Sequence, residues 1–238
     1  MPSSFDLNAF QLENAAFEIR YPMALLLWDR SGQLWTECQK KWPELVALHA
    51  EPAKTVFRAN KNELACELAT ARIIARFPER PLKEFSEQGP EFLNMVCKHL
   101  EVDSLARIGL RLIFFRAHES AEKAAATLLE GNLVRIPVGQ YFKATKEPTL
   151  PEYAIQFNGN ALQTTVRIRA ETRRVDFDPP PGPGFDKFVS IHEEQHGIVV
   201  DVDHAAIGTM SLKQVLLREW LAQALHVLRR DLVSFLEK

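Results

Sequence analysis

Residues 190–197 read Ser-Ile-His-Glu-Glu-Gln-His-Gly and contain the H-E-x-x-H spacing of zinc peptidases. In those enzymes both histidines lie on one face of a helix and bind one ion, while the glutamate polarises water. Here the flanking residues, 188–191 and 197–203, are rich in β-branched and apolar side chains, which is typical of strands. We therefore expect a polar hairpin turn over residues 193–197. A zinc-dependent hydrolase built on His192, Glu193 and His196 is the alternative.

A second candidate site is a pair of arginines around a glycine. In a strand, Arg107, Gly109 and Arg111 share one face, and alternate apolar residues share the other. Together with Arg20 they predict an anion site, in which the glycine admits the ligand. The alternative is structural: each arginine pairs with a carboxylate on a neighbouring strand, such as Glu18, and its stem packs on the sheet.

A third candidate is the densest basic patch of the chain. Arg167, Arg169 and Arg173 share one face of a predicted strand, and Arg174 adds charge beside them. Such a patch predicts contacts with nucleic-acid phosphates, although interleaved aromatic residues for base stacking are absent from this stretch. The alternative is a solvated sheet surface balanced by carboxylates, namely Glu171, Asp176, Asp201 and Asp203.

Other catalytic signatures are missing from the sequence. It contains no Gly-rich phosphate loop, no G-x-S-x-G elbow and no kinase motif. Cys38, Cys66 and Cys97 are widely spaced and form no C-x-x-C pair, which predicts reduced, mostly buried thiols. We assign no catalytic residue, no metal ligand and no cofactor, and the sequence favours a non-catalytic protein over an enzyme.

Composition restricts the class of protein further. The 238 residues are 46% hydrophobic and 25% charged, with a formal net charge of -2. These values are typical of a globular protein and provide no overall positive field for nucleic acid or membrane. Residues 1–20 lack a signal-peptide pattern, and no apolar run approaches the ~20 residues that span a bilayer. We expect a cytoplasmic protein without a membrane partner.

The elements of the first half follow from apolar periodicity. It predicts a strand at 15–21, a helix at 25–42, strands at 55–61 and 64–77, a helix at 81–99 and a strand at 105–115. The predicted stripe of the first helix contains Trp28, Leu34, Trp35, Cys38 and Trp42. This order of strand, helix, strand, strand, helix and strand is the split βαβ order of ferredoxin-like domains.

The second half is predicted to be rich in strands. A helix capped by Ser120 ends at Gly131, and strands at 153–158 and 162–177 flank an Asn-Gly-Asn turn. A Pro-rich loop at 178–184 precedes strands at 188–192 and 197–203. A capping box of Ser211 and Gln214 opens a last helix at 212–236, whose apolar stripe must be buried on a sheet or a partner.

These elements predict an α+β protein with antiparallel sheets covered by helices. We divide it into an N-terminal half, residues 1–118, and a C-terminal half, residues 119–238, an order compatible with two ferredoxin-like-related halves.

Three motifs carry a family resemblance. Glu18, Arg20 and Tyr21 fit E-x-R-[FY], and two further motifs, R-x-G-x-R and D-x-D, follow in order across nearly the whole chain. Together they resemble a sporadically distributed bacterial family of proteins of about 250 residues with no established function. After the second motif this chain has Leu-Ile-Phe-Phe in place of a more polar family segment. The remaining motif positions are Arg107, Gly109, Arg111, Asp201 and Asp203. The resemblance implies the order of strands and helices, and it implies no reaction.

The sequence thus favours a non-catalytic cytoplasmic accessory protein that acts through protein–protein contacts. Its partner is expected to be another protein or a second copy of the chain. Analogy with a sporadic bacterial family suggests a component of a defence or toxin–antitoxin system. A nucleic-acid-binding accessory subunit that uses the arginine-rich patch is the alternative.

Overall fold

The strands and helices were traced in a computed structural model, which describes residues 6–79, 81–131, 151–177 and 191–236. The N-terminal half contains β1 (Gln11–Arg20), α1 (Leu27–Lys41), β2 (Val46–Glu51), β3 (Lys54–Ala59), β4 (Asn62–Glu67), β5 (Thr70–Arg76), α2 (Lys83–His99) and β6 (Ser104–His118). The C-terminal half contains α3 (Ala121–Glu130), β7 (Glu152–Gly159), β8 (Leu162–Phe177), β9 (Ile191–Ser211) and α4 (Leu217–Leu236).

All of these strands belong to one antiparallel sheet with the order β2-β3-β4-β5-β1-β6-β9-β8-β7. The predicted α+β class with an antiparallel sheet is therefore confirmed. Strand β1 lies between β5 and β6, so α1 and α2 make the two crossovers of a split βαβ unit. The hairpin β2–β3 extends this unit at one edge. Strand β9 of the C-terminal half pairs with β6 of the N-terminal half, so one sheet extends across both halves.

Four local predictions differ from the structure. Residues 191–211 form one strand, so the turn expected at 193–197 is wrong; β8 provides a continuous partner there, with Glu193 opposite Val175 and Gly197 opposite Glu171. Residues 64–77 form two strands, β4 and β5, which pair with each other, and β2 was missed. The last helix begins at Leu217 rather than at residue 212. A short 3-10 turn precedes it, and the Ser211 side chain makes no capping hydrogen bond there. The predicted loop at 178–184 lies outside the described residues.

The helices cover one face of the sheet. Their buried side chains form a single core with alternate strand residues such as Phe17, Ile73 and Leu110. On α4, Trp220 stacks on Phe17 at 5.8 Å between ring centroids and on His204 at 6.0 Å. The apolar stripe of α4 is thus buried within the protein's own core, so it provides no evidence for a partner. Its buried members are Leu217, Leu221, Ala224, Leu228, Leu232 and Leu236.

None of the helices in the described ranges is long and apolar enough to cross a membrane.

Candidate interaction surfaces

The sheet face opposite the helix-covered core is rich in charged side chains. We name it the polar face, and its central members come from β1, β6, β8 and β9. They are Glu18, Arg20, Arg107, Gly109, Arg111, Arg167, Arg169, Arg173, Asp201 and Asp203. The three arginines predicted to bind an anion, and three of the four predicted to contact nucleic acid, therefore lie on one surface.

Arg107 lies across the middle of the polar face. Its guanidinium donates to Glu18 Oε1 at 3.2 Å and to Asp203 Oδ1 at 2.6 Å, and 16% of its side chain is exposed. A Cβ at position 109 would lie 2.3 Å from the Arg107 guanidinium. Gly109 therefore makes room for the arginine of its own strand, and the space that we expected for a ligand is occupied.

Arg111 forms a bidentate pair with Asp201. Its Nε and a terminal nitrogen donate to the two carboxylate oxygens at 2.8 and 2.7 Å. Asp201 is 2% exposed, whereas half of the Arg111 side chain is exposed. The hydrogen bond with Asp201 raises the pKa of Arg111, although burial opposes the shift. The buried carboxylate thus fixes an arginine whose other side faces solvent.

The predicted anion-binding residues lie in two separate groups of ion pairs. Arg20 Nε donates to the same Glu18 oxygen as Arg107, at 2.8 Å, and Arg107 also donates to Asp203. Arg111 belongs to the second group, in which Asp201 also lies 3.9 Å from Arg167. In both groups a small anion would have to compete with carboxylates already in place.

The predicted nucleic-acid patch is divided between two faces of the sheet. Arg173 donates to both oxygens of Glu13 at 2.8 Å and lies 4.3 Å above the centroid of the Phe115 ring. Glu171 accepts from Arg169 and Arg173; burial alone would raise its pKa, but these two bonds lower it. Arg174 lies on the opposite face and pairs with Glu194 at 2.9 Å.

The H-E-x-x-H residues belong to β9 rather than to a helix. At ~3.3 Å per residue, the Cα atoms of His192 and His196 are about 13 Å apart along the strand. The zinc geometry of the motif depends on a helix, in which residues i and i+4 are one turn apart, and the backbone of β9 does not provide that spacing. Within the described ranges, no three His, Cys, Asp or Glu side chains are grouped to hold a metal ion.

The cysteines are buried free thiols, as we predicted. Burial raises the pKa of each of Cys38, Cys66 and Cys97 to about 12, which keeps them protonated and unreactive at neutral pH.

An exposed apolar patch lies between β1 and α1, and the sequence analysis missed it. Met23, Leu25 and Trp28 are 68, 52 and 55% exposed, although all three are large and apolar. They border a depression of about 510 Å³, which is also lined by Leu100 and Val102 at the end of α2. We name these three exposed residues the apolar patch. The helical spacing places Trp28 in one apolar stripe with Leu34 and Cys38, but these two residues are buried whereas Trp28 is exposed.

The segment that carries the apolar patch is held firmly by the β4–β5 hairpin. Buried Tyr21 donates from its hydroxyl to the carbonyls of Glu67 and Thr70 at 2.7 and 3.0 Å. Burial and the neighbouring thiol of Cys66 raise the pKa of Tyr21, so the hydroxyl stays protonated. Ala24 donates its N–H to the Leu68 carbonyl at 2.7 Å. These hydrogen bonds therefore hold the backbone of the patch in place in the unbound protein.

Carboxylates lie beside the apolar patch. Asp29, Glu101 and Asp103 line the same depression, and none of the described residues that line it is a lysine or an arginine. Glu101 pairs with Arg30 at 2.7 Å, and Arg30 also donates to the carbonyl of His99. The patch therefore combines an apolar centre with an acidic rim.

Comparison with known proteins adds no assignment. No protein-family model matches the chain, and no curated protein matches its sequence.

Proposed function

We propose that the chain is a non-catalytic binding protein of the cytoplasm that docks a partner protein on the apolar patch. The observation that carries the proposal is the exposure of Met23, Leu25 and Trp28 by more than half within six residues. Isolated exposed hydrophobic residues are ordinary, whereas adjoining ones mark interaction sites. Tryptophan and methionine are enriched at protein interfaces, and tryptophan is a frequent energetic hot spot.

The rigid backbone of the patch favours binding further. Hydrogen bonds from Tyr21 and Ala24 attach the segment to the β4–β5 hairpin, and buried Leu27 anchors the start of α1. A preformed surface loses little conformational entropy on association, so more of the contact energy contributes to affinity.

The acidic rim indicates the chemistry of the partner. Glu101 is already paired with Arg30, but Asp29 and Asp103 would repel an acidic surface and attract lysine or arginine side chains. We therefore expect a partner segment with apolar side chains flanked by basic residues. The motif resemblance alone supports extending the proposal to an accessory role in a bacterial defence or toxin–antitoxin system.

The test starts with affinity purification of the full chain from its source organism, followed by reconstitution with the purified candidate partner. Trp28→Ser should weaken the reconstituted complex at least tenfold, since hot-spot truncations cost about 2 kcal/mol or more. Phe77→Ser is the matched control, because Phe77 is an equally exposed aromatic residue. Its N–H bonds to Glu13 near the other end of β1, roughly 25 Å away at strand spacing.

Equal affinity of the Trp28→Ser and wild-type chains for the partner would contradict the proposal. Recovery of nucleic acid, with binding that falls steeply with salt and is lost in Arg167→Gln, would favour the nucleic-acid alternative instead. Anion binding at Arg20, Arg107 and Arg111 also stays a prediction. It requires an Arg20→Gln variant to lose affinity for inorganic phosphate without loss of stability.

A further inference from the structure

A groove on the helix-covered side of the sheet has the composition of a ligand site. It has a volume of about 610 Å³ and lies between the first turn of α2 and the second half of α4. Its floor is formed by Leu12, Leu112 and Phe114 of β1 and β6, and Leu225 and Leu228 of α4 form a wall. Apolar walls and this volume are usual for sites that bind small molecules, which span roughly 300–1,000 Å³.

The apolar surface that solvent reaches comes from the walls of the groove. Leu82, Leu225 and Val233 line it and are only partly buried. The floor residues Leu12, Leu112 and Phe114 belong to the buried core, with 5, 6 and 4% of their surface exposed. A hydrocarbon chain lying between the walls would remove their apolar surface from water, which is favourable.

The charged residues that line the groove within the described ranges are both positive. They are Lys83 and Arg229, and no described lining residue is a carboxylate. Within the described part of the chain neither cation forms an ion pair, whereas the adjacent Arg230 pairs with Asp231 at 2.6 Å. On the other side of Lys83, a second depression is lined by the carboxylates of Glu79, Glu84 and Glu87. An anionic head group is therefore directed away from that depression and toward Arg229.

From the apolar walls and these two cations we infer that the groove binds a free fatty acid of about twelve carbons. The hydrocarbon chain lies against Leu225 and Val233, and the carboxylate pairs with Lys83 and Arg229. The inference is independent of the apolar patch, which lies at the other end of β1. It assigns the chain a small-molecule ligand in addition to a protein partner.

Calorimetric titration of the full chain with laurate tests the inference, with dodecylamine as a cationic probe of equal chain length. We expect one equivalent of laurate to bind and dodecylamine to bind at least tenfold more weakly. Arg229→Gln should weaken laurate binding about tenfold, the effect of one lost interaction of about 1.4 kcal/mol. Arg230→Gln, the neighbouring control, should leave it unchanged.

A second variant, Leu225→Trp, fills the groove and should abolish laurate binding while the melting temperature shows a folded protein. Three results would overturn the inference: no laurate binding, equal affinities for laurate and dodecylamine, or equal effects of Arg229→Gln and Arg230→Gln. Binding to phosphatidylglycerol vesicles without affinity for free laurate would also overturn it, since it would indicate a membrane surface as the ligand.

Discussion

Replacing Arg111 by methionine should destabilise the protein more than removing its partner charge does. Asp201 is almost fully buried, and without Arg111 the one cation left beside it among the described residues is Arg167, at 3.9 Å. An uncompensated buried charge costs about 3–5 kcal/mol; we expect about 3 kcal/mol, because Arg167 and nearby solvent supply partial compensation. Asp201→Asn instead leaves a half-exposed arginine that water can solvate, and should cost about 1–2 kcal/mol.

The double variant Arg111→Met/Asp201→Asn distinguishes this reasoning from a simple loss of contacts. It removes the stranded charge, so its free energy of unfolding should be higher than that of Arg111→Met alone, which requires a coupling larger than the Asp201→Asn cost, about 2–3 kcal/mol. Urea denaturation at pH 7 measures all three variants. Arg174→Met, which breaks an exposed pair on the other face, is the control and should cause no measurable change. Additive effects, or a cost below about 1 kcal/mol for Arg111→Met, would refute the account of the buried pair.

Three further predictions concern single sites. Gly109→Ala places a Cβ against the Arg107 guanidinium and should destabilise the protein by about 1–3 kcal/mol in urea denaturation, with Arg107→Met/Gly109→Ala no worse than Arg107→Met. Burial lowers the pKa of His204, partly opposed by Asp203 and Asp231, so the unfolded chain binds more protons below the usual histidine pKa. The free energy of unfolding should therefore fall between pH 7.5 and 5.5, and less steeply in His204→Asn. Tyr21→Phe removes the buried hydroxyl whose single proton is shared by two hairpin carbonyls and should cost about 1–3 kcal/mol, measured by the same denaturation.

Capping and turn residues predicted correctly those elements whose ends depend on a few neighbouring residues. Ser120 accepts from the Lys123 N–H at the start of α3, as its position predicted, and the Asn-Gly-Asn stretch leads from β7 into β8. The break between β4 and β5 at Leu68 contains no glycine or proline, so apolar alternation continued across it in the sequence. The β9 strand was predicted as two pieces because its polar residues 192–196 resemble a turn until β8 is known to pair with them.

The partners of the arginines were predictable only in part. The pairing of Arg107 with Glu18 was predicted as an alternative, because each residue lies in a strand whose polar and apolar side chains alternate. The bond between Arg111 and Asp201 was not predicted, because it depends on the register of β6 against β9. The exposure of Trp28 was not predictable, since it depends on which side of α1 packs against the rest of the fold. No local pattern distinguishes that tryptophan from the partly buried Trp35, one heptad later, which packs on Phe57.

Site-specific photocrosslinking in the source organism tests the proposed function most directly. A benzoylphenylalanine at Leu25 places the reactive group in the apolar patch, and the same residue at Phe77 is the control at an exposed position near the other end of β1. We predict a defined protein adduct from position 25 that is absent from position 77. No adduct from position 25, or the same adducts from both positions, would contradict the assignment of the apolar patch as a docking site.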